Sequence, residues 1–160
     1  MLPEVERYFD FDEPWTTSLG EARTTLAAAL AVLEEHETSA RVYEPLWEWT
    51  QRSGYVLTGA SSIPQLVSRA LGMAAAASGR LETAREHFET AMNQARELEA
   101  HTELAETAYW YARALTDQGP TRDSERAREL LAEAAAVWER LGMLKQLERA
   151  RAVEDVGLGS

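Results

Sequence analysis

The 160-residue sequence predicts an all-α protein: an α-solenoid of about three helical hairpins closed by a C-terminal capping helix. Three observations predict it. The chain holds 27 Ala, 22 Glu and 15 Arg, all strong helix formers, and a single Lys at position 145. Apolar residues recur at three- and four-residue spacing between breakers, and no run alternates apolar with polar residues. Two-helix segments repeat along the chain.

Each element follows in order. Residues 1–16, acidic and aromatic with Pro3 and Pro14 near the ends, read as an N-terminal arm. Ser18 and Glu21 have capping-box spacing, and Leu19, Leu26, Leu30 and Leu33 place a first helix near 18–35. A second, near 38–52, carries Ala40, Tyr43, Leu46, Trp47 and Trp49, and Gly54 ends it. After a Gly- and Ser-rich linker over 54–62, Ser62, Pro64 and Gln65 signal the start of a third helix that stops at Gly79. Further helices are expected near 81–99, 102–117 (ended by Gly119-Pro120), 123–141 (closed by Gly142) and 143–155. Residues 157–160 are a tail. The hairpins are thus 18–53, 63–99 and 102–141, within one repeat domain over 17–156.

The repeat is the most informative feature. Leu71-Gly72-x2-Ala75-x3-Gly79-x4-Ala84-x3-Phe88-x2-Ala91 aligns with Tyr111-Ala112-x2-Leu115-x3-Gly119-x7-Ala127-x3-Leu131-x2-Ala134. Gly72 and Ala112 sit mid-helix, where a small side chain admits a neighbouring helix. Glycine there costs about 1 kcal/mol against Ala, so packing must repay it. Ala84 and Ala127 do the same on the second helix of each pair, Phe88 and Leu131 fill the space between hairpins, and Gly79 and Gly119 permit a left-handed reversal. In the first pair Glu34 and Glu35 occupy the turn where glycine is expected.

Composition excludes several classes. With 27 acidic against 16 basic residues the net charge is −11, which repels nucleic acid and anionic lipid. Cysteine is absent, removing disulfides, thiolate metal sites and cysteine nucleophiles. No apolar run approaches the ~18–20 residues of a membrane span, so a cytoplasmic chain is expected. His36, His87 and His101 have no metal-ligand spacing, Asp10, Asp12 and Glu13 lack the rest of a calcium loop, and no phosphate loop or nucleophile elbow occurs. The sequence therefore implies no enzyme, no metal and no cofactor. Most carboxylates read as solvated helix faces, with Arg85 placed to meet Glu89 and Arg126 to meet Glu129. Trp47, Trp110 and Trp138 read as core. Trp15 and Trp49 stay unassigned, and residues 8–15 are either a docked arm or a recognition segment.

The pattern from Leu71 to Ala91 resembles a tetratricopeptide repeat; the match from Tyr111 to Ala134 is looser and that over 18–53 weaker. The series Val42-Tyr43-x2-Leu46, Ala84-x2-His87-Phe88-x2-Ala91, Arg126-Ala127-x2-Leu130-Leu131 and Leu141-Gly142-Met143 is similar to the C-terminal repeat regions of bacterial MalT-type regulators and cyclase-linked signalling ATPases. The resemblance implies a right-handed superhelix whose first helices line a concave groove. Leu66, Arg69 and Met73 would come from one pair, and Glu106, Tyr109, Arg113 and Thr116 from the next. Arg69 and Arg113 either bind a carboxylate or peptide terminus or form ordinary inter-helix pairs with glutamates. The implied function is non-enzymatic recognition of a peptide or partner domain in bacterial signalling or transcription regulation. The alternative is a small-molecule-sensing repeat domain controlling an associated ATPase. The chain would then be the repeat portion of such a regulator or a separate product. The apolar first helix (Leu19, Ala22, Leu26, Ala29, Leu30, Leu33) suits a homodimer or an upstream repeat.

Overall fold

A computed structural model describes residues 17–53, 57–58, 65–117 and 123–157. The 1–16 arm, most of the 54–62 linker, Ser62 and Pro64, Gly119 and Pro120, and residues 158–160 lie outside the described residues. Seven helices are described: α1 (Thr17–Val32), α2 (His36–Ser53), α3 (Val67–Ala77), α4 (Leu81–Glu97), α5 (His101–Thr116), α6 (Ser124–Leu141) and α7 (Leu144–Gly157). The expectation of no strand is corrected. Leu57–Thr58 (β1) pairs antiparallel with Gln65–Leu66 (β2), Leu57 opposite Leu66. Gln65 is thereby drawn into extended backbone instead of a capping box, and α3 starts only at Val67.

The chain divides into two compact units, 1–87 and 88–160, with the boundary inside α4. In the first unit α1, α2 and α3 pack mutually. In the second, α5, α6 and α7 do the same, so that a helix touches the next helix and the one after it in both. The signature residues are buried in these units. Leu71, Gly72 and Ala84 are buried in the first unit. Phe88, Ala91, Ala112, Ala127, Leu131 and Ala134 are buried in the second. Phe88 stacks on Tyr111 from α5, centroids 5.3 Å apart and planes 18° from parallel.

Four helix ends share one geometry. After α1, α3, α4 and α6 the chain enters the left-handed region at Glu34 (φ 58°), Gly79 (78°), Glu99 (52°) and Gly142 (68°). At each, the N–H of that residue bonds back three residues, and the N–H of the next bonds back five: Gly142 to the Glu139 carbonyl at 3.1 Å, Met143 to that of Trp138 at 2.8 Å. Glu34 and Glu35 repeat it on Ala31 and Leu30, Gly79 and Arg80 on Ala76 and Ala75, Glu99 and Ala100 on Arg96 and Ala95. This is a Schellman closure, which satisfies carbonyls that the helix end would otherwise orphan. Glutamate at φ near +55° is uncommon because its Cβ crowds the following carbonyl, at a cost of about 1–2 kcal/mol.

Gly20 has a different role. A Cβ there would run into the six-membered ring of Trp49, which is 5 % exposed, so α1 and α2 meet through the missing side chain. Gly20→Ala is expected to cost about 1–3 kcal/mol by overpacking, read as a lower Tm with a changed near-UV tryptophan signal. Conversely, Glu34→Gly and Glu99→Gly are expected to raise Tm, and Gly79→Ala and Gly142→Ala to lower it by about 2–4 °C each, since no atom lies near a Cβ at either glycine and only the backbone is strained.

Candidate functional site

In the second unit, α5 brings Glu106, Tyr109, Trp110, Arg113 and Thr116 onto adjoining turns, and α7 adds Arg149. The Arg149 guanidinium lies 4.4 Å from the Tyr109 ring centroid and 5.9 Å from that of Trp110. The Arg113 guanidinium lies 5.2 Å from the Trp110 centroid. Two cations thus share one indole, within the range where the ring quadrupole attracts them. Their acids stand further off than a charge-assisted hydrogen bond: Arg113 Nε is 3.6 Å from Asp117 Oδ2, and Arg149 Nη1 is 3.7 Å from Glu106 Oε1. Tyr109 and Trp110 are buried and set edge to face (80°), and Tyr109 leans on the buried Trp138. A buried aromatic floor therefore carries two guanidiniums whose side chains are 24 % (Arg113) and 41 % (Arg149) exposed.

The other groove expectations land differently. Leu66 and Met73 are buried, and Arg69 is 9 % exposed with Nη1 at 3.8 Å from Met73 Sδ. Arg113 pairs within its own helix, with Asp117 four residues on. Thr116 donates to the Arg113 carbonyl at 2.9 Å. Arg85 meets Glu82 (3.4 Å), and Glu89, expected beside Arg85, is engaged by Arg126 from α6 (3.3 Å); Arg126 also meets Glu129 as expected (3.1 Å). Trp47 is corrected from core to surface at 38 % exposure. On α2 the buried stripe is Val42, Tyr43, Leu46 and Trp49, and position 47 falls beside it. Trp110 and Trp138 are buried as expected.

A second polar constellation lies in the first unit, and only packing reveals it. Tyr43 Oη and His87 Nε2 are hydrogen-bonded at 2.9 Å, both side chains buried, and the Trp47 ring stands edge-on to the imidazole at 5.1 Å. Arg80 lies 4.1 Å over the Tyr43 ring and bonds Glu44 at 2.6 Å. Burial pushes the His87 pKa below its ordinary value, against the pull of neighbouring Glu86. Burial likewise raises that of Tyr43, with Arg80 opposing and Glu44 and Glu86 reinforcing. The only advance signal was the separation of 44 residues, one repeat, between Tyr43 and His87. Arg149 had a fainter one, its place beside Ala150 on the inward stripe of α7.

Among the described residues, no group of three or more His, Asp or Glu side chains is placed to hold a metal ion, and no helix is long and apolar enough to cross a membrane.

A depressed histidine pKa means the unfolded chain binds the proton first. Stability is therefore flat above the unfolded value of about 6.5 and falls as pH drops from there to the folded value. The protonated ring can only donate, which also forces the Tyr43 hydroxyl to accept. His87→Gln, which keeps a hydrogen-bonding group, is expected to flatten the Tm-against-pH curve between pH about 7 and 5 relative to wild type. Parallel curves for the two proteins would show that His87 carries none of the dependence.

Comparison with protein-family models, curated proteins and solved structures finds no match to this chain.

Proposed function

We propose that the chain is a non-enzymatic interaction module, a tetratricopeptide-like right-handed superhelix that recognises a peptide or partner domain in bacterial cytoplasmic signalling or transcription regulation. The observation that carries this reading is the recurrence of one construction. Both units pack a helix on the next and next-but-one, both use two Schellman reversals, and the small signature residues are buried in both. Such arrays are built to present side chains in a fixed order along a rigid face.

The recognition residues are those of α5 and α7: Arg113 and Arg149 on Tyr109 and Trp110, flanked by Glu106 and Thr116. Arginine on an aromatic floor is the composition of binding hot spots, because the ring holds the planar fork in a fixed orientation. Arg69 is unsuited to a charge-reversal test, since a glutamate at a position 9 % exposed would be buried and would unfold the helix set.

The test uses the more exposed arginines, Arg113 and Arg149. Arg113→Glu and Arg149→Glu are each expected to weaken partner capture by about 2 kcal/mol or more, some thirtyfold, while helicity is kept and stability falls only by the lost ring and ion-pair contacts, about 1–2 kcal/mol. Identical retention of partners by wild type and both variants would overturn the assignment. Thermal stabilisation by a metabolite, lost in the same variants, would replace a polypeptide partner with a small ligand.

A further inference from the structure

We infer that Tyr43, Trp47 and His87 form a pH-operated latch, which holds α2 against the first half of α4 while the imidazole is neutral and opens at Trp47 when it takes a proton. Tyr43 and Trp47 stand one turn apart on α2, and the His87 ring lies against both, with centroids 5.7 Å and 5.1 Å away. Its Nε2 is hydrogen-bonded to Tyr43 Oη at 2.9 Å. Tyr43 and His87 are buried, whereas Trp47 is 38 % exposed. Trp47 therefore borders the imidazole on one side and water on the other. It is the cover past which the imidazole reaches solvent.

The charged groups around the latch do not hold an imidazolium in place. The acids of α2, and of α4 up to His87, are Glu37, Glu44, Glu48, Glu82 and Glu86, and all five are exposed. Glu44 is already bonded to Arg80 at 2.6 Å, and Arg80 lays its own cation 4.1 Å over the Tyr43 ring. The adjoining α3 has one charged residue, Arg69, a further cation. Glu86, next in the chain to His87, favours the charged ring, but burial outweighs it and keeps the His87 pKa below its ordinary value. A cation buried with no buried acid beside it is costly enough that the group either gives up its proton or moves to water. At neutral pH it gives up the proton and the latch is closed. As pH falls through the depressed value, it moves to water. The phenol adds to this: an imidazolium donates at both nitrogens, so the Tyr43 hydroxyl has to accept and loses the imidazole as a place for its own proton. The opening is local, because α1, α2 and α3 pack on one another without His87.

The test is a pH titration of the full chain well below its Tm, followed by nuclear magnetic resonance. The His87 ring is expected to titrate with a midpoint below about 6.5. The Trp47 indole N–H resonance, assigned by its loss in Trp47→Phe, should shift with the same midpoint while far-UV circular dichroism stays constant. His87→Gln should abolish the Trp47 response, and His101→Gln, which replaces an exposed histidine of the second unit, should leave it intact. A His87 titration that leaves Trp47 unmoved, a Trp47 response that persists in His87→Gln, or a His87 ring that stays neutral until the helices melt would each overturn the proposal.

Discussion

A helix can reverse into its neighbour within two residues only if one residue takes the left-handed backbone conformation, and much else in this protein depends on that requirement. Glu34, Gly79, Glu99 and Gly142 meet it with the same pair of backbone bonds. A turn that short leaves the following helix no choice but to lie alongside, at a distance set by what projects between them. Alanine at 84, 91, 112, 127 and 134, all without exposed surface, keeps that distance small. The high alanine content is therefore a packing requirement before it is a propensity. Close approach then leaves room for a few large side chains, and Phe88 on Tyr111 and Trp138 under Tyr109 take it.

Helix positions were legible because breakers and periodicity are local. The seven segments expected near 18–35 through 143–155 all exist, with ends displaced by a few residues where the controlling event is local backbone geometry: α1 stops at Val32 because Glu34 turns left. Glu34 also shows where residue type misleads. The turn expected to require glycine forms without it, since two backbone hydrogen bonds offset the strain of a Cβ. The β1–β2 pairing was not legible, as two-residue strands have no period to detect. The candidate site divides the same way. Glu106, Tyr109 and Arg113 share one helix and were implied by the resemblance to a tetratricopeptide groove, whereas Arg149 and the Tyr43–His87 pair join different helices and required the packing itself.

The net charge of −11 conceals an uneven division of labour. Several acids stand in water: Glu82 is 87 % exposed at its side chain, and Glu44, Glu48 and Asp117 are each above 60 %. Several of the arginines instead lie flat on rings, Arg80 over Tyr43, Arg113 over Trp110 and Arg149 over Tyr109. A planar, weakly hydrated guanidinium can do this while an ammonium holds its water, which gives a physical reason for 15 Arg against one Lys. These cations are thus placed by aromatic contact together with ion pairing.

The turns also expose leucine as a by-product. The residue before three of the four left-handed positions is an exposed leucine, Leu33, Leu98 and Leu141 at 61, 49 and 49 %, whereas Ser78 before Gly79 is part-buried. Exposure of a leucine here does not by itself mark an interface. What surrounds it decides. Leu98 sits among exposed Arg96, Glu97 and Glu99, and Leu141 follows exposed Glu139 and Arg140, so each is an isolated apolar point on a charged surface. Leu33 continues into Val32, Ala29 and Ala22 with no exposed charge between. Water bordering an apolar strip is displaced at a gain that grows with contiguous area, and an isolated side chain already loses much of that gain to its hydrated neighbours. The same turn chemistry therefore leaves isolated leucines on a charged surface at 98 and 141 and, at Leu33, one end of an uncharged strip that runs onto α1.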